Sequence, residues 1–173
     1  MPYSIIQSSI IDLEADILVN ASNGIGFMGG IIGRYVKFNG VAESINFTTK
    51  GYVEKEARKA AKRNKYLPRY ICGYPPGDIF VTGAGSLKAN YIIHAVTMRY
   101  PGMPSRIKII NKLLPKIIEK AYELNAKSIA LPLLGTGTGN ISREKVLDLY
   151  NNFFHNKYSD LDIVICYISE AAK

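Results

Sequence analysis

Six stretches of strand length, at 3–6, 17–19, 79–82, 91–96, 128–133 and 162–168, carry most of the densely apolar sequence. Several are nearly continuous runs rather than alternating ones, as expected for strands buried on both faces. Between them the pattern changes period. Ile110, Leu113, Leu114, Ile117, Ile118 and Ala121 recur every three or four residues and mark a strongly amphipathic helix. Pro115 falls inside that stripe and predicts a kink, or a helix start close to it. The segment 52–63 is polar on one side and alanine-rich on the other, with Glu54 and Arg58 at i,i+4. A short helix is expected over 30–38, and Ser142 followed by Glu144 suits the start of a last helix running towards Phe154. Strands alternating with helices define an α/β fold in which helices cover a mostly parallel sheet. No linker, repeat or low-complexity tract interrupts the chain, so one domain over 1–173 is expected.

Composition narrows the class of ligand. Twenty-two Lys and Arg against 14 Asp and Glu leave a net charge of +8, which favours anionic ligands or partners. Much of the excess is local, in Arg58, Lys59, Lys62, Arg63, Lys65 and Arg69. That segment reads as an exposed helix face and its tail, or as a nucleic-acid contact. Cys72 and Cys166 lack metal-ligand spacing, and Cys166 lies in an apolar run as a small buried hydrophobe. No apolar run approaches the roughly 20 residues that span a bilayer. Met1, Pro2, Tyr3 and Ser4 lack the basic start and apolar core of a secretory leader. A cytoplasmic protein with no membrane association is expected, with no metal or cofactor.

Two glycine-rich loops follow apolar strands. The first reads Asn20-Ala21-Ser22-Asn23-Gly24-Ile25-Gly26-Phe27-Met28-Gly29-Gly30, and the second Gly135-Thr136-Gly137-Thr138-Gly139-Asn140-Ile141-Ser142. In open α/β sheets ligands collect outside the carboxyl ends of strands, where glycines allow close backbone approach and N–H groups can hold an anion. The G-x-G-x-x-G from Gly24 to Gly29 is fortuitous as a dinucleotide signature: residues 39–68 contain no apolar strand ending in an acidic residue. A P-loop is excluded, since neither loop contains G-x-x-x-x-G-K-[ST]. Asn20 and Asn23 carry more information. A strand-end amide can bond ribose hydroxyls or brace its own loop, and Asn23 is the better placed for ligand.

The chain resembles the macro-domain family over nearly its whole length. The resemblance rests on four blocks in order: Ile17-Leu18-Val19-Asn20-Ala21-Ser22-Asn23; Met28-Gly29-Gly30-Ile31-Ile32; Pro76-Gly77-Asp78-Ile79-Phe80-Val81-Thr82 with Tyr91-Ile92-Ile93-His94-Ala95-Val96; and Ile129-Ala130-Leu131-Pro132 through Asn140. It implies a three-layer α/β/α sandwich around a mixed, mostly parallel sheet, and binding of ADP-ribose or a derivative, free or attached to protein or nucleic acid. It also implies hydrolysis of ADP-ribosyl or O-acetyl-ADP-ribose linkages in some members.

Carried over by position, Asn23 contacts the distal ribose, and Gly29, Gly30, Ile31 and Ile32 line the diphosphate and that ribose. Gly135, Thr136, Gly137, Thr138 and Gly139 wrap the phosphates through backbone N–H groups, with Leu134 and Asn140 flanking them in the ligand set. Asn20, Ala21, Ser9 and Ile10 complete the ligand set. Ser9 stands where the family usually has an Asp for adenine, with Asp12 nearby as a substitute. Where many members place an aromatic over the distal ribose this chain has Gly139, and Phe27 is the candidate replacement.

Two catalytic positions are changed. Gly33 stands where some members carry an Asp, and Gly30 where the pattern N-x-x-G-x-M-G-K-G-I carries a Lys. Hydrolysis, the alternative to binding, would then rest on Asn23 and a water positioned by the diphosphate. His94 sits mid-strand without a visible carboxylate partner and reads as a core residue rather than a base. A second alternative is nucleic-acid binding through the basic segment 58–69.

Overall fold

Every apolar run becomes a strand of one sheet in the computed structural model, which describes residues 3–155, 158 and 160–168. The strands are β1 (Tyr3–Gln7), β2 (Ile17–Asn23), β3 (Ile79–Gly83), β4 (Tyr91–Met98), β5 (Ser128–Pro132) and β6 (Asp162–Tyr167). The helices are α1 (Gly30–Tyr35), α2 (Val41–Thr48), α3 (Tyr52–Ala60), α4 (Arg69–Cys72), α5 (Ile107–Glu123) and α6 (Arg143–Phe154). Met1 and Pro2, on which the leader reading partly rests, lie outside the described residues, as do 169–173 of the expected domain.

The strand order is β1-β6-β5-β2-β4-β3. All neighbours pair in parallel except β3, which runs antiparallel to β4 at one edge. The β2–β4 register is regular until its last step, where it shifts between Ser22 and Asn23. Alternation along the central strands divides the core. Ile17, Val19, Ile93, Ala95, Ile129, Leu131, Ile163 and Ile165 pack beneath α5 and α6. Leu18, Ile92, Val96, Ala130 and Cys166 pack on the opposite face with Ile45 of α2 and Val53 and Ala57 of α3. The result is the expected three-layer α/β/α sandwich, its central strands buried on both faces.

Several local features differ from the sequence pattern, among them the short helix α4, which was not expected. Helix α2 was not expected; it is short, follows Gly40, and fully buries Ile45. Helix α1 stops at Tyr35 because Val36 turns extended, at φ −114°. Helix α5 starts at Ile107 and runs through Pro115 rather than starting beside it. Pro115 and Asn111, whose carbonyl loses its helical partner, are both exposed, so the apolar stripe is undisturbed. Lastly, β2 continues past Val19 to Asn23, which places both asparagines within a strand.

Polar pins hold both ends of the sheet. At the amino edge, Asp16 Oδ2 accepts hydrogen bonds from the N–H groups of Lys127 (2.7 Å) and Ser128 (3.1 Å). The Lys127 N–H is the largest influence holding that carboxyl below its usual range. At the carboxyl edge, the buried Tyr150 hydroxyl donates to Pro132 O (2.8 Å) and accepts from Leu134 N (3.1 Å). Strand β5 and the turn after it are thereby clamped to α6.

Candidate ligand-binding site

A cavity of about 580 Å³ opens at the carboxyl end of the parallel strands. That volume lies within the range of small-molecule and nucleotide sites. Its floor includes Ala21 of β2, Thr97 and Met98 of β4, Pro132 of β5, and Cys166 and Tyr167 of β6. One wall is the second glycine loop, from Gly135 to Asn140, continuing through Ser142 and Arg143. The facing wall is Asn39, Gly40, Val41 and Ser44, where the chain enters α2, and Ser8, Ser9 and Ile10 close one end. A shallower depression of about 280 Å³ continues past Ser8 and Ser9 towards Lys37 and Phe38.

The second glycine loop is shaped by its own backbone. Thr136 N, Asn140 N and Ile141 N bond to Leu133 O, Gly137 O and Gly135 O, closing tight turns. Gly135 and Asn140 take positive φ, +80° and +57°. The N–H groups of Gly135, Gly137, Thr138 and Gly139 make no hydrogen bond among the described residues. Gly139 is packed against Gly135: a Cβ there would lie 2.6 Å from Gly135 O and 2.9 Å from Ser105 Cβ. Its own carbonyl accepts from Ser105 N (2.9 Å), while Ser105 Oγ donates to Thr97 O (2.8 Å). Ser105 thus ties the loop to the end of β4. An aromatic side chain at position 139 has no room in this loop.

Electrostatics at this end of the cavity favour an anion. Ser142 takes the expected N-cap position of α6, with extended backbone, but its hydroxyl makes no capping bond. The amino end of a twelve-residue helix and its unbonded hydroxyl therefore face the cavity wall. Arg143 is the one charged side chain among the described lining residues. It donates to Ile168 O (3.0 Å) and lies 5.0 Å from the Tyr167 ring centre. Ile10, Cys166, Tyr167 and Ile168 give the other end a more apolar lining, and Arg143, held on the last two, belongs to that end rather than to the glycine loop. Burial pushes the Cys166 thiol up to about 12, so it is protonated and neutral there.

The structure separates the expected site residues into two groups. Ser9, Ile10, Ala21, Gly135, Thr136, Gly137, Thr138, Gly139 and Asn140 line the cavity, and Ser9 Oγ makes no hydrogen bond among the described residues. Asn20, Asn23, Gly29, Gly30, Ile31, Ile32 and Leu134 lie outside its lining. Asp12, the possible substitute for the missing carboxylate, is exposed and also outside it.

Asn23 braces its own loop. Its Nδ2 donates to Phe27 O (2.7 Å), and its Oδ1 accepts from Phe27 N (3.1 Å) and Ile25 N (3.3 Å). The first glycine segment is fixed from below: Gly30 N donates to Glu54 Oε1 (3.2 Å), and Asn46 Nδ2 donates to Gly30 O (3.0 Å). Glu54 is fully buried and ion-paired with Arg58 at 2.5 Å. The Arg58 guanidinium lies 5.3 Å from the centre of Phe27, so Phe27 packs beside this pair rather than over the cavity. Ile31 and Ile32 point outward, 71% and 65% exposed.

His94 is a core residue. Asn20 Nδ2 donates to its Nδ1 (3.1 Å), which places the proton on Nε2, facing Thr82 Oγ1 (2.9 Å). Thr82 in turn donates to Gly83 O. The imidazole stacks on Phe80 with centroids 4.5 Å apart, and Phe80 stacks on Tyr74 at 5.0 Å. Complete burial pushes its pKa down to about 3. The unfolded chain therefore takes up this proton first, and stability falls as pH drops from about 6.5 towards 3. The expected loss is up to about 1.4 kcal/mol per pH unit, read as the urea midpoint between about pH 7 and pH 4.5. Imidazole nitrogen shifts that show His94 charged at pH 5 would contradict this assignment.

Sequence reasoning did not identify Asn39, Gly40, Val41 and Ser44, nor Arg143, Tyr167 and Ile168. The Asn39-Gly40 pair before Val41 was the available signal for the first group. The second group depends on β6 lying beside β5, a matter of strand order.

A mixed α/β/α sandwich with a pocket at its strand ends, walled by a glycine-rich loop and a helix amino end, is the class of protein that fold and site define. The sequence matches the Macro domain family model over residues 19–150, and the chain belongs to that family. A relative from Sulfurisphaera tokodaii, an uncharacterized protein, is 34% identical over 177 aligned residues, covering 99% of this chain and 87% of its own length. Among solved structures, the macrodomain of Mycobacterium tuberculosis DarG matches with a TM-score of 0.77 and 25% identity over 96% of this chain and 98% of that one. A mutant of the Oceanobacillus iheyensis macrodomain, solved with ADPR, matches with a TM-score of 0.72 and 21% identity, over 96% and 85%. No described helix is long and apolar enough to cross a membrane.

Proposed function

We propose that the chain acts as a single macro domain that binds ADP-ribose or a derivative in the 580 Å³ cavity. The observation that carries this reading is the pairing of two ends in one pocket. Unbonded backbone N–H groups of Gly137, Thr138 and Gly139, with the amino end of α6, suit a diphosphate. The apolar end beside Ser9, Ile10 and Tyr167 suits a base. Family membership supports the choice of ligand, and the Oceanobacillus macrodomain with ADPR is a bound example on the same fold. Ser9, which stands at the family's adenine position and lines the cavity, recognises the base without charge. The walls that grip the ligand are 135–140 and 39–44; the Gly29-Gly30 segment supports them indirectly through α1 and α2.

Binding is the primary activity in this reading, and Asn23 contributes by holding the Phe27 loop. Hydrolysis of an ADP-ribosyl linkage would use a water ordered by the diphosphate. The carrier of the ligand, whether protein or nucleic acid, is external to the pocket. A cytoplasmic setting belongs to the same proposal, with Cys72 and Cys166 both free thiols.

Calorimetry with ADP-ribose, ADP and AMP tests the reading. Saturable heats are expected, strongest for ADP-ribose and weakest for AMP, which lacks the diphosphate. No heat with any of the three at about 1 mM ligand, a bound near −4 kcal/mol, would overturn it. Release of free ADP-ribose from modified aspartate or glutamate side chains, and from modified DNA, measures the hydrolytic arm separately.

A further inference from the structure

The charge of this chain is unevenly distributed. Residues 57–118 contain twelve Lys and Arg and one acidic residue, Asp78, so the rest of the chain is net acidic. Asp78 is itself paired with Lys116. The basic segment 58–69 is not one patch. Arg58 turns inward to Glu54, whereas the chain from Arg63 onward runs exposed over the surface into α4.

That exposed stretch and the segment after β4 hold large aromatic rings in the open. Tyr66 is 81% exposed, Tyr70 55% and Tyr100 40%. Each has a cation against its ring: Lys65 at 4.8 Å, Arg69 at 5.5 Å and Arg99 at 5.7 Å from the respective centroids. The arrangement is built rather than incidental. Tyr100 Oη donates to Tyr70 O (2.9 Å), and Arg99 donates to Gly73 O (2.6 Å) and Ile71 O (2.7 Å). Helix α4 and the end of β4 are thereby locked into a single face, two residues from Met98 in the cavity floor. Below it, Arg63 lies 5.0 Å from the Tyr74 ring, which leads through Phe80 to His94 in the core.

We propose that Tyr66, Tyr70 and Tyr100, with Arg63, Lys65 and Arg69, form a binding face for single-stranded nucleic acid. Cations track a phosphate backbone, and open aromatic rings stack on unpaired bases without reading sequence. Duplexes hide their base faces, so the tyrosines discriminate against them. An acidic peptide would use the cations and leave the rings idle. The face does not depend on the ADP-ribose reading, since it lies outside the cavity lining.

The test is fluorescence anisotropy of the whole chain with labelled oligothymidylate, oligouridylate and a DNA duplex of equal length. Expected are binding to one or both single strands at least tenfold tighter than to duplex, and affinity that falls steeply with salt. Tyr70→Ala with Tyr100→Ala should weaken single-strand binding by tenfold or more, whereas Tyr70→Phe, which keeps the ring and the Tyr100 hydroxyl bond, should bind as wild type. Thermal melting and ADP-ribose calorimetry of each variant show that fold and cavity are intact. Absence of saturable binding at low salt, equal affinity for duplex, displacement by polyglutamate as effective as by oligonucleotide, or wild-type binding by the double alanine variant would each overturn the proposal. Loss of ADP-ribose binding with oligonucleotide binding retained would count against the cavity reading alone.

Discussion

Glu54→Ala should lower the free energy of unfolding by about 3 kcal/mol, the lower end of the cost of breaking a buried ion pair by removing one partner. Glu54 is fully buried in α3 and serves two groups at once, the Gly30 N–H and the Arg58 guanidinium. Alanine leaves the buried Gly30 N–H without an acceptor and removes the partner of Arg58, whose side chain is about one-third exposed, so most of the cost falls on the Gly30 side. For a chain of this size the melting temperature should fall by about 6–12 °C. Glu54→Gln keeps an acceptor for Gly30 and should cost less. Urea denaturation checks the order. Equal stability of Glu54→Ala and wild type would show that the first glycine segment is held by other contacts.

Gly139→Val should abolish ligand binding, with at least a 100-fold loss in ADP-ribose affinity, on the reading that the cavity is the ligand site. The new side chain collides with Gly135 backbone and Ser105, neither of which is a flexible tip. The loop opens, the Ser105 N–H bond to Gly139 O is lost, and the unbonded N–H groups of 137–139 are displaced. Gly137 makes the control, because a Cβ there meets nothing within 4 Å. Gly137→Ala should melt as wild type and bind ADP-ribose more weakly by a smaller factor. Calorimetry of both variants decides the matter, and wild-type affinity in Gly139→Val would remove the loop from the site.

Particular residues show why some of this was legible beforehand. Ile17, Leu18 and Val19 had to be strand because a parallel sheet covered on both sides demands consecutive apolar residues. The loop from Gly135 to Asn140 was legible because glycines at a strand end permit the positive φ and close packing found at Gly135 and Gly139. Asn23 was conspicuous too, but its amide direction depends on where Phe27 returns, and three local hydrogen bonds hold it there. The wall at Asn39, Gly40 and Val41 was illegible because α2 is only eight residues long, weakly amphipathic, and starts at a glycine cap. Arg143 and Tyr167 meet at the site through the β5–β6 pairing, which no local pattern encodes.

The end of β4 departs from regular pairing: Ser22 lies opposite Val96 and Asn23 opposite Met98, leaving Thr97 as an extra residue. Regular strands send neighbours to opposite faces, yet Thr97 and Met98 both reach the cavity. The shape of the pocket floor is therefore a matter of chain length as much as of side-chain identity. Deleting one residue here would restore alternation and turn one of the two away. It would also remove the carbonyl that anchors Ser105, and re-aim Arg99 and Tyr100 beyond it. Among relatives, a one-residue insertion or deletion at this point is thus a single-step route to a different pocket, and alignments that slide a gap across it would compare residues that face opposite ways.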